Sequence, residues 1–128
     1  MEGSLKLKEV SYIHSESYAA GELKHGTISL IDEDVPVIAV ATQTGIIPKT
    51  ISNVVEVKSR GAKVILVCTD ACARELKDGV ADYVIEIPHT DELLMPITAV
   101  VPLQILAYYT SINRGIDPDK PKNLAKSV

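Results

Sequence analysis

The chain has 128 residues, a formal net charge of −4 and 46% apolar residues, with no tryptophan or phenylalanine. This length suits one domain that is large enough to bury a core. The negative charge argues against nucleic acid as a partner, because phosphate binding needs clustered lysine and arginine. Two cysteines are too few for a disulfide framework and favour a reducing compartment. The composition predicts an aliphatic core of strands covered by helices.

The longest apolar segment, residues 93–109, contains Pro96, Pro102 and Gln104. It is shorter than the roughly 20 residues that a helix needs to cross a bilayer. We therefore expect a buried helix there and no membrane partner. The amino end has no signal-peptide pattern, and the sequence predicts a soluble, cytoplasmic protein.

Residues 5–16 are predicted to form a helix, because Leu7, Val10 and Ile13 recur at helical spacing. Lys6 and Glu9, three residues apart, then share a neighbouring face of that helix. A second short helix is predicted at residues 22–30, with an interruption at a glycine near its middle.

Three apolar runs predict β-strands at residues 35–41, 63–68 and 82–87. They are apolar throughout rather than alternating, which is typical of strands buried on both faces of a parallel sheet. Helices are predicted between them at residues 48–59 and 71–77, with Gly61 where a helix end favours a residue without a Cβ. The order predicts an α/β fold, a three-layer sandwich with a parallel sheet flanked by helices and joined by right-handed crossovers.

A long helix is predicted to begin between Asp91 and Pro96 and to end near Gly115. The tail, residues 116–128, is rich in proline, and residues before proline avoid the helical region, so the tail is expected to be largely extended. No repeat or linker interrupts the sequence. The chain is therefore predicted to be one domain over residues 1–128.

No standard catalytic or nucleotide-binding motif is present. Cys68 and Cys72 lack further ligands at matching spacing, so we expect no metal site, and nothing points to a cofactor. The histidines His14, His25 and His89 are widely spread, as surface or core histidines usually are. Taken by residue type alone, Lys6 and Glu9 form an exposed ion pair and Lys126 belongs to a solvated tail. Any ligand should lie at the carboxyl ends of the parallel strands.

Two blocks at the ends of the chain carry a resemblance. The first reads LKLKEVSYIH at residues 5–14 and AAGELKHG at residues 19–26, and the second runs from VPLQ at 101–104 to DKPKNLAKSV at 119–128. Together they closely resemble the isomerase part of the glutamine–fructose-6-phosphate aminotransferases. That family makes glucosamine 6-phosphate from fructose 6-phosphate and glutamine-derived ammonia. The match implies a second sugar-isomerase (SIS) subdomain with flavodoxin-like topology.

The resemblance also implies residue roles. Glu9 matches the carboxylate that moves a proton between C1 and C2 of the open-chain sugar, and Lys6 matches a lysine that assists this transfer. His25 matches a histidine of the ring-opening step, which serves the site of a neighbouring subunit. Lys126 matches the lysine that forms a Schiff base with the ketone, and Ala125 would offer its backbone carbonyl to a sugar hydroxyl.

The resemblance is incomplete in ways that define the expected partners. The glutaminase domain and the first SIS subdomain, which holds the phosphate, are not in the chain, and the subdomain itself is expected to be truncated on its amino-terminal side. Thr27 stands where the family usually has proline. We expect the partners to be fructose 6-phosphate or glucosamine 6-phosphate, the missing domains of the longer enzyme, and a second copy in a homodimer.

Two other functions remain open at this point. A non-catalytic SIS module could bind phosphosugars and regulate a partner, but it would not need the set Lys6, Glu9, His25 and Lys126. A flavodoxin-like signalling domain needs an acidic pocket at the strand ends, for which Asp70 alone is too little. The sequence favours the enzyme part, which we expect to be inactive in isolation.

Overall fold

The computed structural model describes residues 1–122. The chain divides into two compact units. The sheet unit comprises Tyr18–Ala99, and the terminal unit comprises Met1–Ser17 together with the chain from Val100 onward. Ala125 and Lys126 lie outside the described residues. The expectation of one domain over residues 1–128 stays a prediction.

The sheet unit contains three parallel strands in the order β1–β2–β3, namely β1 (Pro36–Ala41), β2 (Lys63–Thr69) and β3 (Tyr83–Ile87). Helices α2 (Ile47–Lys58) and α3 (Asp70–Glu75) follow β1 and β2 respectively. In the register, Val67 of the central strand faces Val40 on one side and Ile85 on the other. The predicted α/β class, with an open parallel sheet flanked by helices, is confirmed.

The core lies against one face of this sheet. Val64, Leu66 and Cys68 of β2 are fully buried, and Val54 and Val57 of α2 pack on that face. The spacing of these α2 residues is that of one helical stripe. Burial on both faces holds for β2 but is wrong for the outer strands. They are edges of the described sheet and expose apolar residues such as Val40, Tyr83 and Val84.

Two glycines mark the ends or breaks of the predicted helices. The end of α2 at Lys58, three residues before Gly61, lies within one residue of the predicted end. Gly61 has φ +94°, and a Cβ there would lie 2.9 Å from the Cα of Glu33, so a residue with a side chain would be strained. Gly26, with φ +133°, interrupts the predicted second helix and divides it into two short 3₁₀ helices, Glu22–His25 and Thr27–Leu30.

In the terminal unit, helix α1 spans Glu2–Ser11 and ends earlier than predicted. Tyr12 adopts φ 55° in the left-handed region, and its backbone N–H donates to the Leu7 carbonyl. The hydroxyl of Ser111 lies 2.8 Å from the carbonyl oxygen of Val10 and ties the end of α1 to the last helix. Of the predicted extended tail, the structure describes residues 116–122, where the N–H of Lys120 donates to the carbonyl of Asp117 and closes a turn.

The last helix, α4 (Met95–Asn113), has the predicted position but not the predicted burial. Within the terminal unit it buries Ala107 and Ser111, whereas five large side chains along it are about half exposed. This apolar stripe consists of Val101, Ile105, Tyr108, Tyr109 and Ile112. By length and composition, α4 is the one helix of residues 1–122 that could cross a membrane. Because the large side chains of the apolar stripe are about half exposed, the expectation of a buried helix is wrong.

Asp82 links the end of α2 to the start of β2. Its Oδ2 accepts from the Lys58 ammonium at 2.6 Å and from the Val64 N–H at 2.7 Å, and its Oδ1 lies 3.5 Å from the Lys63 ammonium. These contacts lower the pKa of Asp82 from 3.8 to about 2. The hydrogen bond from Lys58 has the largest effect, and the hydrogen bond from the Val64 N–H has the next largest. The ionised carboxylate is therefore the form that stabilises this part of the fold.

We expect Asp82→Asn to lower the melting temperature near neutral pH, and we expect that difference to vanish in acid. The pKa is lower in the folded chain than in the unfolded one, so the stabilisation is present above about pH 4 and is lost as the pH falls toward about 2. Thermal melts of both proteins from pH 6 to pH 2 measure this. Asp78→Asn, at an exposed position, is the control. A difference that stays constant with pH would contradict the assignment.

Candidate functional site

The first candidate site is the face of α1 that carries Lys6 and Glu9. The Nζ of Lys6 lies 2.7 Å from Oε2 of Glu9 and 3.5 Å from Oε1 of Glu2. The spacing of three residues brings the two side chains together, as the sequence predicted. The Lys6 side chain is 33% exposed and that of Glu9 is 23% exposed, so the pair is partly screened from water but open on one side.

The groups around Lys6 raise its pKa. The hydrogen bond to Glu9 is the largest influence on Lys6 and raises its pKa. Burial opposes this effect, and the charges of Glu9 and Glu2 add to it. Lys6 is therefore an ammonium at neutral pH and cannot attack a carbonyl carbon, because a nucleophilic amine must be unprotonated. A carboxylate such as that of Glu9 is by contrast a group that can take and return a proton, and the contact with the Lys6 ammonium fixes its orientation.

His25 belongs to the sheet unit, where it ends the 3₁₀ helix Glu22–His25 and is exposed. Its segment is anchored on both sides of the histidine. The Lys24 ammonium lies 2.6 Å from Oε2 of Glu56 on α2, and the Thr27 hydroxyl donates to the Leu23 carbonyl at 3.2 Å. The backbone thus holds His25 at the surface of this unit. Its role in the site of a neighbouring subunit stays a prediction.

The structure tests the predicted set only in part. It brings Lys6 and Glu9 together and places His25 in the other compact unit. Ala125 and Lys126 fall outside the described residues, so the carbonyl contact and the Schiff base expected of them stay predictions, as do the catalytic roles of the other three.

The two cysteines belong to the core rather than to a reactive site. Cys68 and Cys72 are free and buried at the junction of β2 and α3. Burial is the largest cause that raises the pKa of Cys68 to about 12, and it also raises the pKa of Cys72. Both are therefore protonated thiols at neutral pH, and a protonated thiol is neither a good nucleophile nor a metal ligand.

A second candidate site is a cavity of about 130 Å³ at the carboxyl end of β1. Its polar lining consists of Thr42, Gln43, Thr50 and Glu92. The cavity lies at the edge of the sheet where the sequence predicts a ligand, but the sequence did not indicate the residues that line it. Thr50 was missed because it lies within a helix, on the stripe that packs inward. Glu92 comes from a distant part of the sequence.

The family follows from comparison with known proteins. Residues 1–114 match the SIS domain family, which is nearly the whole described chain. The chain belongs to this family. Over all 128 residues it is 57% identical to the glutamine–fructose-6-phosphate aminotransferase (isomerizing) of Clostridium perfringens, of which it covers 21%. The relative of Thermococcus kodakarensis is 51% identical, again over 21% of its length.

Solved structures agree with this SIS assignment. The carboxyl-terminal domain of glucosamine-fructose-6-phosphate aminotransferase from Francisella tularensis superposes with a TM-score of 0.84 at 40% identity, covering 90% of this chain and 32% of that one. A glucosamine-6-phosphate deaminase from Thermotoga maritima gives a TM-score of 0.71 at 30% identity, covering 98% of this chain and 35% of that one. The chain is thus homologous to the carboxyl-terminal part of the glutamine–fructose-6-phosphate aminotransferases. It spans about a fifth of the length of these curated relatives.

Proposed function

We propose that the chain is the carboxyl-terminal sugar-isomerase part of a glutamine–fructose-6-phosphate aminotransferase, which converts fructose 6-phosphate and glutamine-derived ammonia to glucosamine 6-phosphate. The observation that carries this proposal is the 57% identity to such an enzyme over the entire chain. The similar structure from Thermotoga maritima is a deaminase of glucosamine 6-phosphate, a phosphorylated amino sugar. This supports a sugar phosphate as the class of ligand. A sugar phosphate is charged and dissolves in water, and this supports the proposal that the protein is soluble and cytoplasmic.

In the proposed mechanism, Glu9 takes a proton from one carbon of the open-chain sugar and returns it to the neighbouring carbon. The short contact with the Lys6 ammonium orients the carboxylate before the transfer. Lys126 would form the Schiff base that makes this proton acidic, Ala125 would accept a hydrogen bond from a sugar hydroxyl, and His25 would assist ring opening in the site of the partner subunit.

The proposal is tested by grafting. The matching segment of the Clostridium perfringens relative is replaced by this chain, and formation of glucosamine 6-phosphate from fructose 6-phosphate and glutamine is measured. We expect turnover within about tenfold of the parent enzyme, because more than half of the replaced residues are the same. A folded graft that binds fructose 6-phosphate without turnover would favour the alternative, a non-catalytic phosphosugar-binding or regulatory module.

The 128-residue polypeptide alone is expected to give no measurable glucosamine 6-phosphate from fructose 6-phosphate and ammonium. The resemblance assigns the phosphate-binding loops to a part of the relatives that this chain does not match, and binding energy from the phosphate is what positions the sugar for reaction. Activity is measured by product mass, with the grafted enzyme as the positive control. Readily detected turnover by the isolated chain would contradict this expectation.

We also propose that the chain forms a homodimer through the apolar stripe of α4, because a contiguous patch of half-exposed aliphatic and aromatic side chains is characteristic of a protein interface. Light scattering at micromolar concentration should give a dimer mass. Ile105→Glu, which places a charge in the middle of the stripe, should shift the mass to monomer, whereas Val55→Glu at an equally exposed position on α2 should not. A monomer in the parent protein would refute the dimer.

A further inference from the structure

We propose that the cavity at the carboxyl end of β1, whose lining contains neither Lys6 nor Glu9, binds a small neutral polyol. The cavity has a volume of about 130 Å³. This is well above the volume that a single water molecule needs, so the space can hold part of a hydroxylated carbon chain. All the residues that line it belong to the sheet unit.

Thr50 is the feature that points to a ligand. The residue is only 7% exposed, lines the cavity near the start of α2, and its hydroxyl has no hydrogen-bond partner among residues 1–122. Thr110, by comparison, donates its hydroxyl to the Leu106 carbonyl at 2.6 Å. Every fully enclosed polar side-chain atom of residues 1–122 has a partner, so the unpartnered Thr50 oxygen keeps some access to solvent, and a ligand in the cavity that Thr50 lines could reach it. A ligand hydroxyl would satisfy it.

The charge of the lining selects against anions. Oε1 of Glu92 accepts a hydrogen bond of 3.2 Å from the N–H of Thr44, in the turn that leads into α2. This carboxylate already accepts from a backbone N–H of the turn before α2, which is then not free to bind an anion. A second negative charge in the same cavity would be repelled by Glu92.

The remaining lining suits a hydroxylated carbon chain. The hydroxyl of Thr42 and the amide of Gln43 can each donate and accept, and a ligand hydroxyl can also donate to Glu92. Val40, which is 40% exposed at the end of β1, and Met95 give the cavity an apolar wall against which C–H groups can pack. Donors and acceptors around an apolar wall are typical of sites for polar small molecules.

The test is an NMR titration of the ¹⁵N-labelled full chain with D-glucitol, with inorganic phosphate as the anionic probe. We expect glucitol at millimolar concentration to shift the amide signals of residues 42–50 and 92–95. We expect phosphate at the same concentration to leave them unchanged. Thr50→Val should weaken glucitol binding about tenfold, the size of one hydrogen bond. Thr110→Val is the control, because that hydroxyl bonds its own helix and does not line the cavity.

The same variants separate binding from folding. Thr50→Val replaces an unpartnered hydroxyl with a methyl group of similar shape, so we expect its melting temperature without ligand to equal or exceed that of the parent. Thr50→Ser keeps the hydroxyl and should keep the affinity. Shifts confined to other residues, unchanged affinity in Thr50→Val, or equal shifts with phosphate would each overturn the proposal.

Discussion

Replacing Glu9 with glutamine is expected to lower kcat of the grafted enzyme by about 10²- to 10⁴-fold, the range that one general acid–base group contributes. Glutamine keeps the size of the side chain and can still accept from the Lys6 ammonium 2.7 Å away. It cannot take up a proton. KM for fructose 6-phosphate should change little, so kcat and kcat/KM should fall together, as for a group that acts in the transition state.

Glu2→Gln provides the matched control. Glu2 lies on the same helix, 3.5 Å from the same ammonium, and carries the same charge. If Glu9 acts only by holding the Lys6 ammonium, the two substitutions should have similar effects. A loss confined to Glu9→Gln assigns the proton transfer to that carboxylate. Equal activity of Glu9→Gln and the parent graft would reject the proposed mechanism.

Much of the sheet unit could be predicted because its signals are local. Each strand is a short apolar run between polar turns, and each predicted strand agrees with the structure to within about one residue. Gly26 and Gly61 mark breaks whose positive φ angles only glycine adopts easily. The early end of α1 had no such signal. The backbone of Tyr12 takes the left-handed conformation, which residues other than glycine rarely adopt. The residue type at this position therefore did not indicate a helix end.

Burial was harder to predict than secondary structure, because it depends on what lies beside each element. The apolar sequences of β1 and α4 resemble those of core elements, yet Val40 and Ile105 are about 40% and 50% exposed in the structure. A run of apolar residues does not distinguish a core from a surface that another chain or domain covers.

Of the two candidate sites, one could be predicted from the sequence and the other could not. The Lys6–Glu9 contact follows from helical spacing alone and was predictable. The cavity was not, because it joins Thr50 to Glu92 across 42 positions of sequence, and only the folded chain shows that the Thr50 hydroxyl lacks a partner. Site residues from separate elements carry no local pattern.

Gly3→Ala is expected to destabilise the chain by about 1–3 kcal/mol, the usual effect of forcing an extra group into a packed contact. Gly3 is buried in α1, and a Cβ there would lie 2.7 Å from Cδ1 and 2.9 Å from Cβ of Leu103 on α4. A different Leu103 rotamer could move Cδ1 but not Cβ, which is fixed to the backbone. Helix propensity alone predicts the opposite sign, since alanine is favoured over glycine by about 1 kcal/mol.

Urea unfolding followed by circular dichroism measures the Gly3→Ala effect, and Gly21→Ala is the control. Gly21 has φ −67°, and a Cβ there meets nothing within 4 Å, so this change should be neutral or slightly stabilising. In a Leu103→Ala background Gly3→Ala should cost less, because the contacts with Cδ1 and Cγ are gone and only the Cβ contact remains. If Gly3→Ala stabilised the protein, helix propensity would outweigh the steric conflict, and the close approach of α1 to α4 would be wrong.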